Sequence, residues 1–251
     1  MTVVDVVILS LCKDKSFFEL NVNCISSLIS SETEIRFEIH LIESNSRWKT
    51  LGFEYPFKNV HVHERSDPFH YNKFLNFGVT KAQHDYIVFS NNDVIFHKNW
   101  LSEILKVRYD DPSIRSFCPF DHESKYLKWE KFKNGRYQLG YRVPVEFVGW
   151  CFVVERSVFD ETGPFDERFD LYFQDNDFAR TLKKHHIPHA LVPTSNVHHL
   201  GGATTGVADA SKTMKYIIDK AKYMYKWPNE PYLIQGLWRR LKSCLAFSDL
   251  N

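Results

Sequence analysis

The first hundred residues alternate short β-branched runs with stretches of helical period, and this alternation restricts the possible folds more than any other feature of the chain. Strands are expected at 3–9, 37–42, 60–63 and 86–89, and helices at 17–29, 71–80 and 100–107. Strands separated by helices imply parallel crossovers, and hence a mainly parallel, Rossmann-like α/β sheet with helices on both faces. Ligands of such sheets bind beyond the carboxyl ends of the strands, so the residues that follow each strand are the first candidates for function.

Beyond Pro112 the pattern changes. A polar, aromatic-rich stretch (121–142) leads into an apolar run (145–154) that reads as a central strand and is followed by the turn Gly163-Pro164-Phe165-Asp166. A helix at 176–184, a strand at 190–192, a small-residue loop at 201–206 and a helix at 211–225 come next. After the stop at Trp227-Pro228 a final helix is expected at 232–245. The organisation is one domain, 1–227, with a C-terminal helical extension, 228–251, packed on it; the basic, amphipathic stretch 233–242 has a membrane surface as its other possible partner.

A formal charge of +1 provides no global field toward nucleic acid or an anionic surface, so any such preference has to be local. Cys12, Cys24, Cys118, Cys151 and Cys244 are odd in number and lack metal-ligand spacing, which argues against a disulfide framework or structural zinc and for a reducing cytoplasm. The apolar opening run is far shorter than a membrane span and has no basic residues before it, so no transmembrane segment is expected.

Three pieces carry chemistry. Ser90-Asn91-Asn92-Asp93 follows a strand, where Asp93 either holds a divalent cation or caps the next helix. Gln174-Asp175-Asn176-Asp177 opens a helix, where one acid can cap while the other faces a cleft as a proton acceptor. His198-His199-Leu200-Gly201-Gly202 follows a strand, with a histidine available to a metal and glycines allowing close approach of phosphate.

In this order and spacing the pieces resemble the family 2 glycosyltransferases of GT-A fold, in particular the rhamnosyltransferase-like branch. The resemblance runs from about Val3 to Trp227. His40-Leu41-Ile42-Glu43-Ser44-Asn45 resembles the family's second strand, 69–78 its donor-side helix, Asn91-Asn92-Asp93 its DxD element, 147–159 with 163–167 its acceptor-side strand and turn, and His199-Leu200-Gly201-Gly202 its metal-binding HxGG element. The likeness implies transfer from a nucleoside-diphosphate sugar (UDP-, dTDP- or GDP-linked) with inversion, Asp175 being the base. It implies donor contacts from Ser10, Glu43, Asn45, Lys73, Asn76, Asn91, Asn92 and Asp93, and acceptor contacts from Gly149, Trp150, Asp177 and Trp129. Mn²⁺ or Mg²⁺ would be held by Asp93 with His199 or its neighbour His198. Two positions depart from the pattern: Asn91 replaces the first acid of DxD, and Gln174 the usual Glu before the base.

The acceptor is open: a glycan, a lipid-linked sugar or a modified nucleic-acid base. The segment 125–136 interleaves Lys125, Lys128, Lys131, Lys133 and Arg136 with Tyr126, Trp129 and Phe132, which suits phosphates and stacked rings, DNA included. A nucleotidyltransferase would need glycine in the first loop, and Ser10-Leu11-Cys12-Lys13-Asp14-Lys15 has none; a dehydrogenase would need GxGxxG. The alternative is a non-catalytic carbohydrate- or nucleic-acid-binding module on the same fold.

Overall fold

In the computed structural model, which describes residues 1–124, 132, 135–169, 171–201 and 210–229, the β-branched opening run forms β1 (Thr2–Ser10). It pairs in parallel with β2 (Ile35–Glu43) and β4 (Tyr86–Ser90), and β2 pairs in parallel with β3 (Val60–Glu64). The other strands are β5 (Val94–Phe96), β6 (Ser116–Asp121), β7 (Gln138–Leu139), β8 (Cys151–Glu155) and β9 (His189–His199). Among the described residues they make one nine-stranded sheet, ordered β3-β2-β1-β4-β8-β6-β9-β5, with β7 also on β9. It is parallel through the first four strands and mixed beyond, because β8 runs antiparallel to β4 and β6, and β5 antiparallel to β9.

Alternate residues of β1 enter different layers of core. Val4, Val6 and Ile8 pack with α1 (Lys15–Ser30) and α3 (Trp100–Asp110). Val7 packs on the other face with α2 (Tyr71–Val79), α4 (Val158–Thr162) and α5 (Gln174–Lys184). In α1 the buried Asn21, Cys24, Ile25 and Leu28 recur at three- and four-residue intervals, and each fully buried aliphatic side chain contributes roughly 1.5–3 kcal/mol. Gly78 of α2 lies directly against Val7, and any Cβ there would overlap that side chain. This close approach brings the start of α2 to the carboxyl end of the sheet.

Two expected strands differ in extent. Only the second half of the run 145–154 is a strand, because the amides of Val145, Glu146 and Phe147 all curl back onto the carbonyl of Arg142. The Glu146 carboxylate also accepts from the Arg142 amide and guanidinium, so Phe147 and Val148 are buried in a turn. Conversely, β9 runs on past Val192, since the register against β6 shifts between Pro119 and Phe120 and absorbs residues 193–195 as a bulge.

The last described helix, α6 (Ala210–Lys226), packs beside the start of α5. Asp219 accepts from the amides of Leu171 and Tyr172, and Tyr223 stacks on Phe173. The expected helix 232–245 and the extension beyond residue 229 lie outside the described residues. Among the described residues no helix is long and apolar enough to cross a membrane.

Candidate active site

The chain leaves β4 at Ser90, turns through Asn91 and Asn92, and enters β5 after Asp93, which is only 4% exposed. The antiparallel β5–β9 ladder sets Val94 opposite His199, and the amide of Leu200 donates to the carbonyl of Asp93 at 2.9 Å. His199 Nε2 therefore stands 3.2 Å from Asp93 Oδ1. That oxygen is buried and makes no hydrogen bond, so the ring approaches it outside hydrogen-bonding geometry. A buried carboxylate oxygen without a donor costs on the order of 1–3 kcal/mol until a ligand takes it. The helix-capping reading of Asp93 does not hold: the amides of Leu101 and Ser102 at the start of α3 are taken by Glu32. Strand alternation sends His198 the other way, to within 3.5 Å of both Asp121 and Glu123.

Asp175 lies in the first turn of α5, after Phe173, which holds a left-handed φ of 64°. Its Oδ1 accepts from the amide of Asn176 at 2.8 Å. Burial pushes the carboxyl above its usual range and outweighs that hydrogen bond, which makes the carboxylate a stronger proton acceptor than an exposed aspartate. The turn Gly149-Trp150 joins this acid to the Asp93 pair. A Cβ on Gly149 would stand 2.9 Å from Asp175 Cβ, while the Trp150 ring stacks on His199 at 4.9 Å and the Trp150 carbonyl accepts from the Asn91 amide at 2.8 Å. Residues 93, 175 and 199 thus converge around a single turn.

Three further residues belong to this convergence: Gln174, noted in the sequence as standing where the related enzymes have Glu, and Tyr71 and Asn72, which sequence did not single out. The Tyr71 hydroxyl donates to the carbonyl of Gly149 at 3.2 Å. Burial, followed by the negative charges of Asp175 and Asp93, pushes its phenol well up, so it stays a neutral donor. Asn72 Oδ1 and Gln174 Oε1 are buried without hydrogen bonds, and both residues line a small hollow with Tyr71, Gly149 and Asp175. Tyr71 and Asn72 open the donor-side helix; their signal in the sequence was their place one turn ahead of Asn76, which drew attention instead.

The remaining expected donor residues are mostly engaged within the protein. Glu43 is fully buried, with Oε1 accepting from the amides of Cys12 and Asn45 and Oε2 from the Ser10 hydroxyl. Asn21 of α1 links Ser10, Tyr55 and Asn92, so the loops after β1, β2 and β4 form one rigid wall. Asn45 donates to the Cys12 carbonyl at 2.5 Å. Asn76 clamps the turn at Phe165, accepting from its amide and donating to its carbonyl and to Glu167, each at 2.9 Å. Lys73 pairs with Asp67 at 2.8 Å. Asp177, expected at the acceptor, turns instead to Trp227 Nε1 and Lys226, each at 2.8 Å, and fastens the end of α6. Trp129, most of the segment 125–136, and Gly202 with the rest of its loop lie outside the described residues.

The sequence profile of glycosyl transferase family 2 matches residues 22–163, more than half of the chain. The chain belongs to that family. The activity of its domain is glycosyl transfer, with nucleotide-sugar donors and acceptors bound in general terms. The match spans Asp93, Gly149 and Trp150 and ends before Asp175 and His199, whose places in the site rest on geometry. No curated protein matched the chain.

A divalent cation fits the Asp93–His199 pair in its chemistry: the orphaned Asp93 oxygen lies 3.2 Å from the ring nitrogen, and an oxygen with an imidazole nitrogen is a donor set Mn²⁺ accepts. Among the described residues no cluster of three or more His, Cys, Asp or Glu surrounds a common point, so water and a diphosphate would complete the coordination.

Proposed function

We propose that this glycosyltransferase moves a sugar from a nucleoside-diphosphate donor to an acceptor hydroxyl with inversion, using Asp175 as base. The observation that supports it best is the orphaned oxygen of Asp93 beside His199, one turn of chain away from a buried acid with a raised pKa. Asp175 takes the proton of the acceptor hydroxyl as that oxygen bonds to the anomeric carbon. The bond from carbon to diphosphate oxygen breaks, and the electron pair leaves with the nucleoside diphosphate. Asp93 and His199 would hold Mn²⁺ or Mg²⁺, which supplies Lewis-acid stabilisation of the leaving diphosphate when bound. Tyr71, a neutral phenol whose hydroxyl donates to the Gly149 carbonyl, holds the turn that lies against Asp175, and the Glu43–Ser10–Asn21 wall keeps the donor side from shifting.

The acceptor classes remain a glycan, a lipid-linked sugar or a modified nucleic-acid base. A cytoplasmic setting is part of the proposal, on the ground that Cys12, Cys24, Cys118 and Cys151 are buried free thiols. The test is thermal unfolding with UDP-, dTDP- and GDP-sugars, with and without Mn²⁺, for the wild type and Asp93→Asn. One donor class should raise the wild-type melting temperature in a Mn²⁺-dependent way, and the variant should lose that dependence. Equal Mn²⁺ dependence in both proteins would remove Asp93 from the site.

A further inference from the structure

Among the described residues, helix α6 is anchored through the side that carries Asp219 and Tyr223. Its inward residues Asp219 and Tyr223 are 1% and 4% exposed, and Lys226 with Trp227 closes on Asp177. The opposite side carries Met214, Ile217, Ile218, Ala221 and Tyr225, spaced three or four residues apart and so aligned in one stripe. Met214, Ile217, Ile218 and Tyr225 are 57%, 54%, 45% and 85% exposed, an inverted arrangement for a helix at the surface of a soluble domain. At 100° per residue Lys215 borders the stripe on one flank and Lys220 lies beyond the other, while Lys222, next to Lys215, is held inward by Asp219 and the Arg168 carbonyl. Asp219, the single acid of residues 213–226, is turned inward and paired with Lys222, so the outer face carries apolar groups and cations.

We propose that the outer face of α6 docks on an anionic lipid bilayer, with Met214, Ile217, Ile218 and Tyr225 entering the interface and the flanking lysines meeting the headgroup phosphates. Aliphatic groups between lysine stems match the profile of a bilayer surface, where hydrocarbon lies below phosphate, and lysines keep their ammonium groups at that level. A second copy of this chain would bring the lysines of both copies together, and a basic border disfavours that pairing. Docking there sets the bilayer behind the turn that carries Asp175, since Leu171, Tyr172 and Phe173 rest on the inner face of α6.

Flotation of the full chain with phosphatidylcholine vesicles, and with mixed phosphatidylcholine–phosphatidylglycerol vesicles, tests the proposal without reference to catalysis. Binding to the mixed vesicles should exceed that to the neutral ones about tenfold or more and weaken with salt. Ile217→Ser/Ile218→Ser, at exposed positions, should abolish it and Lys220→Glu, at a half-buried one, should reduce it, both with unchanged circular dichroism. Tyr109→Ser, at an 86% exposed site on α3, should bind as the wild type does. Absence of flotation, binding that survives Ile217→Ser/Ile218→Ser, or a dimer by light scattering that this double variant dissociates while vesicles stay bare would each overturn the proposal.

Discussion

Replacing Gly149 by alanine adds one methyl group at the tightest contact of the site. The new carbon would stand 2.9 Å from Asp175 Cβ and 3.3 Å from Asp175 Oδ2, whereas relaxed carbon–carbon contacts need about 3.5–4.0 Å. The Asp175 side chain or the turn therefore moves by roughly 0.6–1 Å. A misplacement of about 1 Å at a reacting group costs on the order of 10²-fold in rate, equivalent to ~2.7 kcal/mol of barrier. The same overlap costs ~1–3 kcal/mol of stability, partly offset by the ~0.4–1 kcal/mol that alanine gains over glycine through the unfolded chain. The assay is turnover of the donor identified by thermal shift, together with the Mn²⁺-dependent shift itself. Turnover by Gly149→Ala should fall about 10²-fold, while the donor shift stays near wild type because Asp93 and His199 lie beyond Trp150. Wild-type turnover in a folded Gly149→Ala protein would show that the position of Asp175 does not limit the reaction.

Two further outcomes test the frame around the site. Asn76→Ala removes three hydrogen bonds from the turn at Phe165, so it should lower unfolding free energy by about 2–3 kcal/mol while leaving donor affinity unchanged; weaker donor binding at unaltered stability would make Asn76 a ligand contact. Asp5 is buried, which raises its pKa, but the His40 ring, the amides of His84 and Gln83 and the His84 ring together bring it down to about 2 from 3.8. A folded value below the unfolded one gives stability that is complete above pH 3.8 and lost as pH falls through 2. The urea-unfolding gap between wild type and Asp5→Asn should accordingly narrow by about 1 kcal/mol from pH 7 to pH 3, and a constant gap would refute the linkage.

The first half of the fold was legible because its pattern and its burial agree: β1 and β2 are apolar-rich runs largely buried on both faces, and the buried members of α1 and α2 recur at three- and four-residue intervals. The second half was harder for identifiable reasons. Pro119 lies inside β6 and Pro193 inside β9, and proline together with turn-forming Thr194, Ser195 and Asn196 is what a strand end looks like when its bulge is unseen. The run from Val145 to Val154 is apolar throughout, and apolarity reports burial, which a turn folded onto the Arg142 carbonyl satisfies as well as a strand does. In the candidate site, sequence order drew attention to Asp93, Asp175 and His199, which the fold brings to one turn. It did not separate residues facing a ligand from those holding the walls, because Glu43, Asn76 and Asp177 have the same side-chain chemistry in either role. Tyr71 gave only its place one turn ahead of Asn76, since its part depends on a carbonyl seventy-eight residues away in the chain.

Kinetics of Asp175→Asn test the central claim most directly. The amide keeps the volume of the carboxylate and cannot accept the acceptor's proton, so turnover should fall by ~10²–10⁴-fold while the Mn²⁺-dependent donor shift persists. Near-normal turnover at comparable donor binding would assign the proton to another group and contradict the account.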